Sequence, residues 1–351
     1  MKIKIKLIRT AEQATSAQVV ASIDLLTEIL LRFPIKSLIR FKLVSKDWHY
    51  FITNPKFCHL RNPNPNPALG LLLPFPNFRI SPLFEYVPFS VQNPTNPPLR
   101  KLKFTKDSSR ISILKSCNGL LLCSSLRALN HNLKYYVYNP TTKRFTTLPK
   151  PDQGTGIRKK ICASRSQLMP ISKKGCIGMV RCTGLVMGPL SLYFVIDEER
   201  LETLPMPPIP DGWEGRSNYY IGESCGHLNF IETFGPQIQF DVYEMKRDYS
   251  EWFVKYQVDL SPLVSAFPGM IRSYLNPTNW YYYALSIFCL IQGERYGDSF
   301  LVLQIPGKAI RYNLVHKTFE KLHDFEGAEV EDSLRFSWTN GFQHIESLCC
   351  V

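Results

Sequence analysis

Histidine, cysteine and acidic side chains are the groups of this chain that could perform acid–base, nucleophilic or metal chemistry. A catalytic base needs a partner that orients it, and that partner is usually a carboxylate or a thiol within hydrogen-bond reach. The seven histidines are scattered along the sequence and show no evident pairing of this kind. We therefore expect each to be a surface or packing residue: His49, His59, His131, His227, His316, His323 and His344.

Sequence motifs of enzymes are absent or incomplete. No G-x-S-x-G, H-E-x-x-H or Walker pattern occurs in the 351 residues. Gly154-Thr155-Gly156 lacks the third glycine of a nucleotide-binding loop, and it lacks the buried strand before and the helix after that such a loop requires. We expect no enzyme activity and no cofactor.

The cysteines do not form a metal-binding pattern. None is part of a C-x-x-C pair, and Cys58-His59 has no second ligand pair at zinc spacing, so we expect no metal site. Several thiols lie in apolar, strand-like segments, which indicates reduced core thiols and a cytoplasmic or nuclear protein. The ten are Cys58, Cys117, Cys123, Cys162, Cys176, Cys182, Cys225, Cys289, Cys349 and Cys350.

The charge is strongly positive but diffuse. The 42 basic and 29 acidic residues give a net charge of +13. No recognition helix or RNA-binding signature accompanies the basic residues, so nucleic acid is not an expected partner.

No run of 18 apolar residues occurs, so no membrane span is expected. Residues 1–20 are basic without the pattern of a secretory signal, and we expect a disordered tail.

The elements that organise the N-terminal part are short helices between residues 21 and 60. Ser22 is a plausible N-cap, Pro34 ends the first helix, and a second helix begins at about Ile35. Ser45 can cap a third helix, which Asn54-Pro55 stops. Three helices in so short a segment cannot bury all their large apolar side chains. The apolar side chains that stay unburied predict that this segment docks, either on a partner or on the rest of the same chain.

These residues resemble the F-box, the module with which F-box proteins of SCF ubiquitin ligases hold a Skp adaptor and, through it, a cullin. The match runs in order and spacing through Asp24-Leu25-Leu26, Glu28-Ile29-Leu30, Arg32-Phe33-Pro34, Lys36-Ser37-Leu38, Phe41-Lys42, Val44-Ser45-Lys46, Trp48, Pro55 and Phe57. One departure concerns the start, where the family has Leu-Pro and this chain has Ala21, Ser22 and Ile23. The missing proline could weaken adaptor binding.

The resemblance implies a set of apolar residues that face the adaptor or define the module, and several of these could belong to the module's own core. Replacing one of them, Leu30, by Asp is expected to abolish adaptor binding. The set is Leu25, Leu26, Ile29, Leu30, Pro34, Leu38, Val44 and Trp48.

A second domain follows an Asn/Pro linker at residues 61–68. From residue 69 to 351, prolines and glycines separate short aromatic and β-branched runs at intervals of about ten residues, which predicts an all-β architecture. The fold class is therefore α+β and multidomain.

Internal repeats refine this prediction. YNPTTKRFTTL from Tyr138 and YNLVHKTFEKL from Tyr312 share five residues at the same spacing, and each predicts two strands joined by a polar turn. Gly-led strands occur in SCNGLLLC from Ser116 and SCGHLNF from Ser224. Units of about 45 to 65 residues predict propeller blades. These segments resemble the plant F-box-associated domain, a kelch-related β-propeller region; an incomplete propeller is the alternative.

Residues 155–189 do not fit the repeat, because they are unusually basic and lack clean strand alternation. The repeat predicts a Gly-led strand 15 to 20 residues before Asp197. Read in a neighbouring frame with allowed codons, Cys176 to Gly184 can give V-Y-W-N-G-A-V-H-W, a phrase of the expected kind. We hypothesise that residues 168–189 are translated out of frame and that flanking blade sequence is missing; a diverged insertion is the alternative.

The sequence thus predicts a substrate-recognition adaptor of an SCF E3 ubiquitin ligase. The F-box would hold the Skp adaptor, and the propeller would present loops to an unidentified substrate protein. The chain itself would contribute no catalytic residue to ubiquitin transfer. Two alternatives stay open: a binding protein that works outside a ligase, and a defective paralogue whose propeller does not close.

Overall fold

A computed structural model describes most of the chain, which divides into two compact units. The first contains residues 1–64 and 347–350, and the second contains residues 65–346 and 351. The described residues are 16–61, 68–75, 83–90, 99, 101–105, 110–126, 134–148, 167–172, 175–179, 191–195, 200–213, 218–293, 295–325, 334–336 and 341–348.

The first unit is helical. The first helix begins at Ser16, so the prediction of Ser22 as its N-cap was wrong, and Ala21, Ser22 and Ile23 lie within the helix. Residues 16–20, predicted to belong to a disordered tail, are also helical. The described helices are α1 (Ser16–Leu31), α2 (Ile35–Phe41), α3 (Lys46–Thr53) and α4 (Pro55–Arg61).

The fourth helix was not predicted. Asn54 does end α3, but its side-chain oxygen also accepts a hydrogen bond from the Lys56 backbone N–H at 2.8 Å, so it caps the next helix. Pro55 stands at the first helical position, where a proline's missing N–H costs nothing. The Asn-Pro pair that stops one helix therefore starts another.

The core of the helical unit draws on both ends of the chain. Five of its six buried members lie in α1 to α4. The sixth is Leu348, which is 2% exposed although it lies close to the C-terminus. The Cys58 thiol lies 3.9 Å from the Leu348 carbonyl oxygen. The buried set is Leu30, Ile35, Leu38, Ile52, Phe57 and Leu348.

The second unit is built of antiparallel strands, as the regular spacing of prolines and glycines in the sequence predicted. The described strands are β1 (Gly70–Pro74), β2 (Phe84–Pro88), β3 (Arg110–Cys117), β4 (Leu120–Leu126), β5 (Tyr135–Asn139), β6 (Arg144–Thr147), β7 (Gln167–Ser172), β8 (Gly175–Met179), β9 (Ser191–Val195), β10 (Arg200–Thr203), β11 (Asn218–Ser224), β12 (His227–Thr233), β13 (Gln239–Met245), β14 (Trp252–Asp259), β15 (Ser286–Ile291), β16 (Phe300–Ile305), β17 (Lys308–Asn313), β18 (Phe319–Asp324) and β19 (Phe342–His344). A short helix, α5 (Ser261–Ala266), follows β14.

Within the described residues these strands form four sheets of four strands and one of three. Each four-stranded sheet is a meander in chain order: β3 to β6, β7 to β10, β11 to β14 and β15 to β18. The three-stranded sheet has the order β19-β1-β2, so the first and last strands of the unit pair with each other. Here Leu71 lies opposite Gln343.

The sheets adjoin one another in sequence. β3 lies beside β7, β7 beside β11, and β11 beside β15, while β19 lies beside β3. β18, the last strand of the last four-stranded sheet, lies beside β2 of the three-stranded sheet. A hydrogen bond between His323 Nε2 and Glu85 Oε1, 2.7 Å apart, joins these last two strands.

The internal repeat is confirmed at the level of hydrogen bonds. Asn139 Oδ1 accepts from the backbone N–H groups of Thr141 and Thr142 at 2.9 and 3.2 Å. Asn313 Oδ1 accepts in the same way from the two corresponding residues of the second turn, at 2.9 and 2.7 Å. Lys143 and Lys317 both adopt a left-handed backbone, with φ of 57° and 56°. One turn geometry therefore serves both copies.

The Gly-led strands are confirmed as the second strands of two hairpins. Asn118-Gly119 connects β3 to β4, and Cys225-Gly226 connects β11 to β12; all four residues have positive φ. Two-residue turns with positive φ at both positions match the right-handed twist of antiparallel strands.

The segment that departs from the repeat is described only in part. β7 and β8 lie within residues 155–189, and β8 pairs with both β7 and β9. The Gly-led strand expected before Asp197 thus has a counterpart in Gly175–Met179. Residues 155–166, 173–174 and 180–189 lie outside the described part of the chain, and the hypothesis of an out-of-frame segment stays a prediction.

Candidate functional site

The helical unit exposes an unusual amount of apolar side chain for its size. Half of the fourteen exposed large apolar residues found in the described part of the chain lie between residues 25 and 60. Large exposed apolar areas on a protein surface often mark sites of interaction. The seven residues are Leu25, Ile29, Phe33, Leu43, Val44, Tyr50 and Leu60.

The structure divides the eight predicted site residues into a surface set and a core set. Four are exposed and can contact a partner: Leu25, Ile29, Pro34 and Val44. Four pack into the unit: Leu30 and Leu38 are buried, and Leu26 and Trp48 are partly buried against the same core. A change of Leu30 to Asp would therefore test the folding of the unit rather than its surface.

Helix α1 presents two of the exposed residues on one face. Leu25 and Ile29 are four residues apart, which places their side chains one helical turn apart on the same side. Leu25 is 63% exposed. Beside them, Glu28 and Arg32 form an exposed ion pair at 3.8 Å, which contributes little stability. This face of α1 therefore carries apolar side chains, with the Glu28–Arg32 ion pair next to them.

The connection between α2 and α3 presents two more exposed apolar residues. Leu43 is 86% and Val44 67% exposed, and their backbone N–H groups donate to the carbonyl oxygens of Arg40 and Phe41 at 3.0 Å each. The Ser45 hydroxyl then caps α3 by accepting from the Trp48 N–H at 3.1 Å, as predicted. This cap and the two backbone hydrogen bonds of the turn fix the backbone conformation from which Leu43 and Val44 project.

A chain of aromatic rings fixes the helices relative to one another. Phe33, just beyond α1, contacts Phe41 edge to face at a centroid distance of 5.3 Å, and Phe41 contacts Trp48 at 5.5 Å. The Arg61 guanidinium donates to the Phe33 carbonyl oxygen at 3.0 Å, which ties α4 to the end of α1. The partly buried Trp48 thus acts as a positioning residue for the surface.

Sequence reasoning missed Phe33, Leu43, Tyr50 and Leu60 as members of the exposed set. A signal was available for Leu43, because it follows the last apolar residue of α2 and precedes the Ser45 cap, where no helix can bury it. Tyr50 and Leu60 lie in α3 and α4, and only the packing of those helices determines which of their faces is exposed.

Among the residues that the structure describes, chemistry-bearing groups elsewhere do not assemble into a metal or thiol site. Among the described residues, no group of three or more His, Cys, Asp or Glu side chains could hold a metal ion. Burial raises the pKa of the Cys123 thiol to about 12 and raises that of Cys289 as well, so both are poor nucleophiles. Of the helices described, none is long and apolar enough to cross a membrane.

An exposed apolar helical unit joined to a unit of antiparallel sheets defines the chain as a two-part interaction protein. Residues 22–60 match the F-box domain. F-box protein At5g07610 of Arabidopsis thaliana is 34% identical over 404 residues, an alignment that covers 96% of this chain and 94% of the relative. F-box protein At5g49610 of the same plant is 33% identical over 127 residues, which is 36% of this chain and 32% of that protein. The chain belongs to the F-box protein family.

F-box proteins generally act in substrate recognition by SCF ubiquitin ligases, and the F-box domain implies binding to a Skp-type adaptor. The alignment with the first relative spans 404 positions, whereas this chain has 351 residues, so at least 53 positions of that relative have no counterpart here. Among solved structures, TolB from Acinetobacter baumannii superposes with a TM-score of 0.36 at 8% identity, covering 77% of this chain and 54% of that one.

Proposed function

We propose that this chain is a substrate-recognition subunit of an SCF E3 ubiquitin ligase. The helical unit would bind the Skp-type adaptor, and through it a cullin, and the β unit would bind the substrate protein. The observation that carries the proposal is the exposed apolar surface on the segment that matches the F-box domain. Leu25 and Ile29 on α1 and Leu43 and Val44 before α3 form its accessible part.

The β unit is best interpreted as a kelch-like propeller with five blades. Its four meander sheets adjoin one another through their first strands, and β18 returns to lie beside β2. The pairing of β19 with β1 supports this interpretation, because a propeller commonly closes by sharing one blade between its first and last strands. Such a ring leaves few unpaired edges and presents loops for recognition.

Ubiquitin transfer in this proposal needs no catalytic residue of this chain. A subunit that binds the substrate at one unit and the adaptor at the other raises the effective concentration of the substrate near the ubiquitin-conjugating enzyme. The histidine, cysteine and acidic side chains of the described residues then serve packing and recognition. Cytoplasmic and nuclear compartments both suit this role.

The adaptor contact is tested by replacing Leu25 and Ile29 together with Asp. Loss of two central apolar anchors is expected to weaken binding to a purified plant Skp-type adaptor at least 100-fold, since hot-spot residues contribute 2 kcal/mol or more each. Val254→Asp is the matched control, because Val254 is an exposed apolar residue on a strand outside the F-box segment. Affinity is measured by calorimetry, with far-UV circular dichroism to verify folding.

Unchanged adaptor affinity in the double variant would contradict the assignment of this surface. The alternative function, a binding protein that works outside a ligase, is distinguished by purification of the tagged chain from plant cells. Recovery of cullin together with the adaptor supports the ligase subunit, whereas a stable complex that lacks both supports the alternative.

A further inference from the structure

We infer that the β unit recognises a segment of its partner protein that carries a lysine or arginine, whose side chain enters an acidic cavity beside β13 and β14. This inference rests on the proposed function, for which it specifies the chemistry of the substrate. The cavity has a volume of about 510 Å³, within the range of ligand pockets in proteins.

The cavity is negatively charged in a chain whose net charge is +13. Among the described residues that line it, three carry carboxylates, Glu232, Asp241 and Asp259, and one, Lys317, carries an ammonium. The described lining therefore has an excess of negative charge, opposite in sign to the net charge of the chain. An anionic partner would be repelled at this point, whereas a cationic side chain would be attracted.

Asp259 is held in its charged form by its neighbours. Ser261 donates to Asp259 Oδ1 from its hydroxyl at 2.6 Å and from its backbone N–H at 2.8 Å. These bonds lower the pKa of the Asp259 carboxyl. Asp241 stands opposite Gln257 in the pairing of β13 with β14, so carboxylate and amide groups from both strands line the same cavity.

Part of the cavity lining is apolar and rigid. Pro207, Pro208 and Pro210 belong to this part, and prolines restrict the backbone without offering N–H groups. Phe234 forms another part of the lining. Such walls suit the methylene stem of a lysine or arginine, while the carboxylates suit its charged end.

A ridge of aromatic rings includes Phe234 of the cavity lining. We define it as Phe234, Trp213 and Trp280: Trp213 contacts Phe234 at a centroid distance of 5.8 Å and Trp280 edge to face at 4.7 Å. Next to Trp280, Tyr281 is 67% exposed. Tryptophan and tyrosine are the residues most enriched at energetically important interface positions, and their rings also attract cations.

The loop that carries Trp280 is ordered by its own hydrogen bonds. Asn279 Oδ1 accepts from the Tyr281 N–H at 2.9 Å, and the Arg272 guanidinium donates to the Tyr281 carbonyl oxygen at 2.7 Å. An isolated bridge between Ile271 and Tyr283 closes the base of the loop. A preorganised loop loses little entropy on binding, which favours its use as a recognition surface.

The test uses the full chain, both alone and together with a Skp-type adaptor, and four synthetic peptide libraries. Each library has five randomised residues on either side of a fixed centre, which is Lys, Arg, Gln or Glu. We expect the Lys and Arg libraries to be retained at least tenfold more than the Gln library. Asp241→Asn should abolish this preference, and Trp280→Ala should reduce retention at least threefold.

Matched controls lie at the other end of the same hairpin. Glu251→Gln removes one negative charge as Asp241→Asn does, and Phe253→Ala removes an exposed aromatic ring as Trp280→Ala does. Neither control should alter retention of the libraries. Hydrogen exchange of β13 and β14 verifies that Asp241→Asn leaves the sheet folded.

Equal retention of the four libraries, or a preference for Glu, would overturn the inference, as would equal losses in the control variants. Adaptor binding is measured on the same preparations. A complex that binds the adaptor without selecting a central cation contradicts only the cavity. A chain that selects the cation but does not bind the adaptor contradicts only the ligase proposal.

Discussion

Asn313 shows how much of the second unit depends on single polar side chains. Its Oδ1 accepts two backbone hydrogen bonds within the turn from β17 to β18, and its Nδ2 donates to the Gly297 carbonyl oxygen at 2.7 Å. The first two bonds shape the turn, and the third connects it to the segment between β15 and β16. Asn139 shapes the turn from β5 to β6 in the same way.

Replacing Asn313 by Ala is expected to lower the free energy of unfolding of the β unit by about 2 kcal/mol, because backbone donors lose their acceptor. Asn313→Asp keeps the acceptors and removes only the donor to Gly297, so it should cost less than the alanine change. Urea denaturation followed by circular dichroism measures both. The same loss in the two variants would show that the donor, and not the turn, stabilises the unit.

At the scale of elements, the helical unit is completed by the C-terminal segment. Leu348 is buried among Leu30, Leu38 and Ile52, three residues that come from α1, α2 and α3. The apolar side chains that the three predicted helices could not bury had two possible docking places, a partner or the rest of the same chain. Part of this apolar surface packs on the same chain, and the remaining exposed residues are available to a partner. A fragment that ends at residue 64 lacks one member of its own core.

Leu348→Ala is expected to destabilise the helical unit by about 3 kcal/mol, the usual cost of removing a buried leucine side chain. Leu60→Ala is the control, because Leu60 is 46% exposed and should change stability by less than about 0.5 kcal/mol. Hydrogen-exchange mass spectrometry of peptides from residues 35–57 measures the effect. Unaltered protection in Leu348→Ala would exclude a structural role for the C-terminal segment.

At the scale of the whole molecule, the first and last strands of the β unit hold the series of sheets together. β19 contributes only three residues, Phe342–His344, yet it pairs with β1 and lies beside β3. The Ser116 hydroxyl of β3 donates to the Gln343 carbonyl oxygen. If the sheets form a closed propeller, loss of β19 opens the ring and exposes strand edges.

Gln343→Pro removes a backbone N–H from β19 and is expected to make the β unit sensitive to protease, whereas Gln343→Ala should not. In limited proteolysis, the unchanged chain should yield a resistant core that starts near Leu69, and the proline variant should be digested through it. Rapid digestion of the unchanged chain would instead identify a paralogue whose propeller does not close.

The hypothesis of an out-of-frame segment also belongs to the scale of the whole molecule. At least 53 aligned positions of the Arabidopsis relative have no counterpart in this chain. The hypothesis predicts that some of these positions adjoin the part of the relative that aligns with residues 168–189. Sequencing of the transcript decides the matter. A message whose codons for residues 176–184 cannot give the shifted phrase would exclude it.

Local structure could be predicted from the sequence wherever a feature acts over a few residues. The Ser45 cap, the paired Asn turns and the Gly-led hairpins all follow from short-range hydrogen bonding and backbone preference, so their positions were predictable. The start of α1 was mispredicted, because Ser22 has the chemistry of a cap, but the chain before it continues as helix. Fold class and family were accessible for the same reason, since both reside in ordered short motifs.

Which apolar residues are surface and which are core depends on tertiary packing. Leu25 and Leu30 are equivalent in type and lie on one helix, yet one is 63% and the other 1% exposed, because Leu30 packs into the core that α1 shares with the other three helices and Leu348. The acidic cavity likewise joins residues from 207 to 317, which no local pattern relates. Burial and long-range contact depend on how elements pack, and that packing is a property of the whole chain.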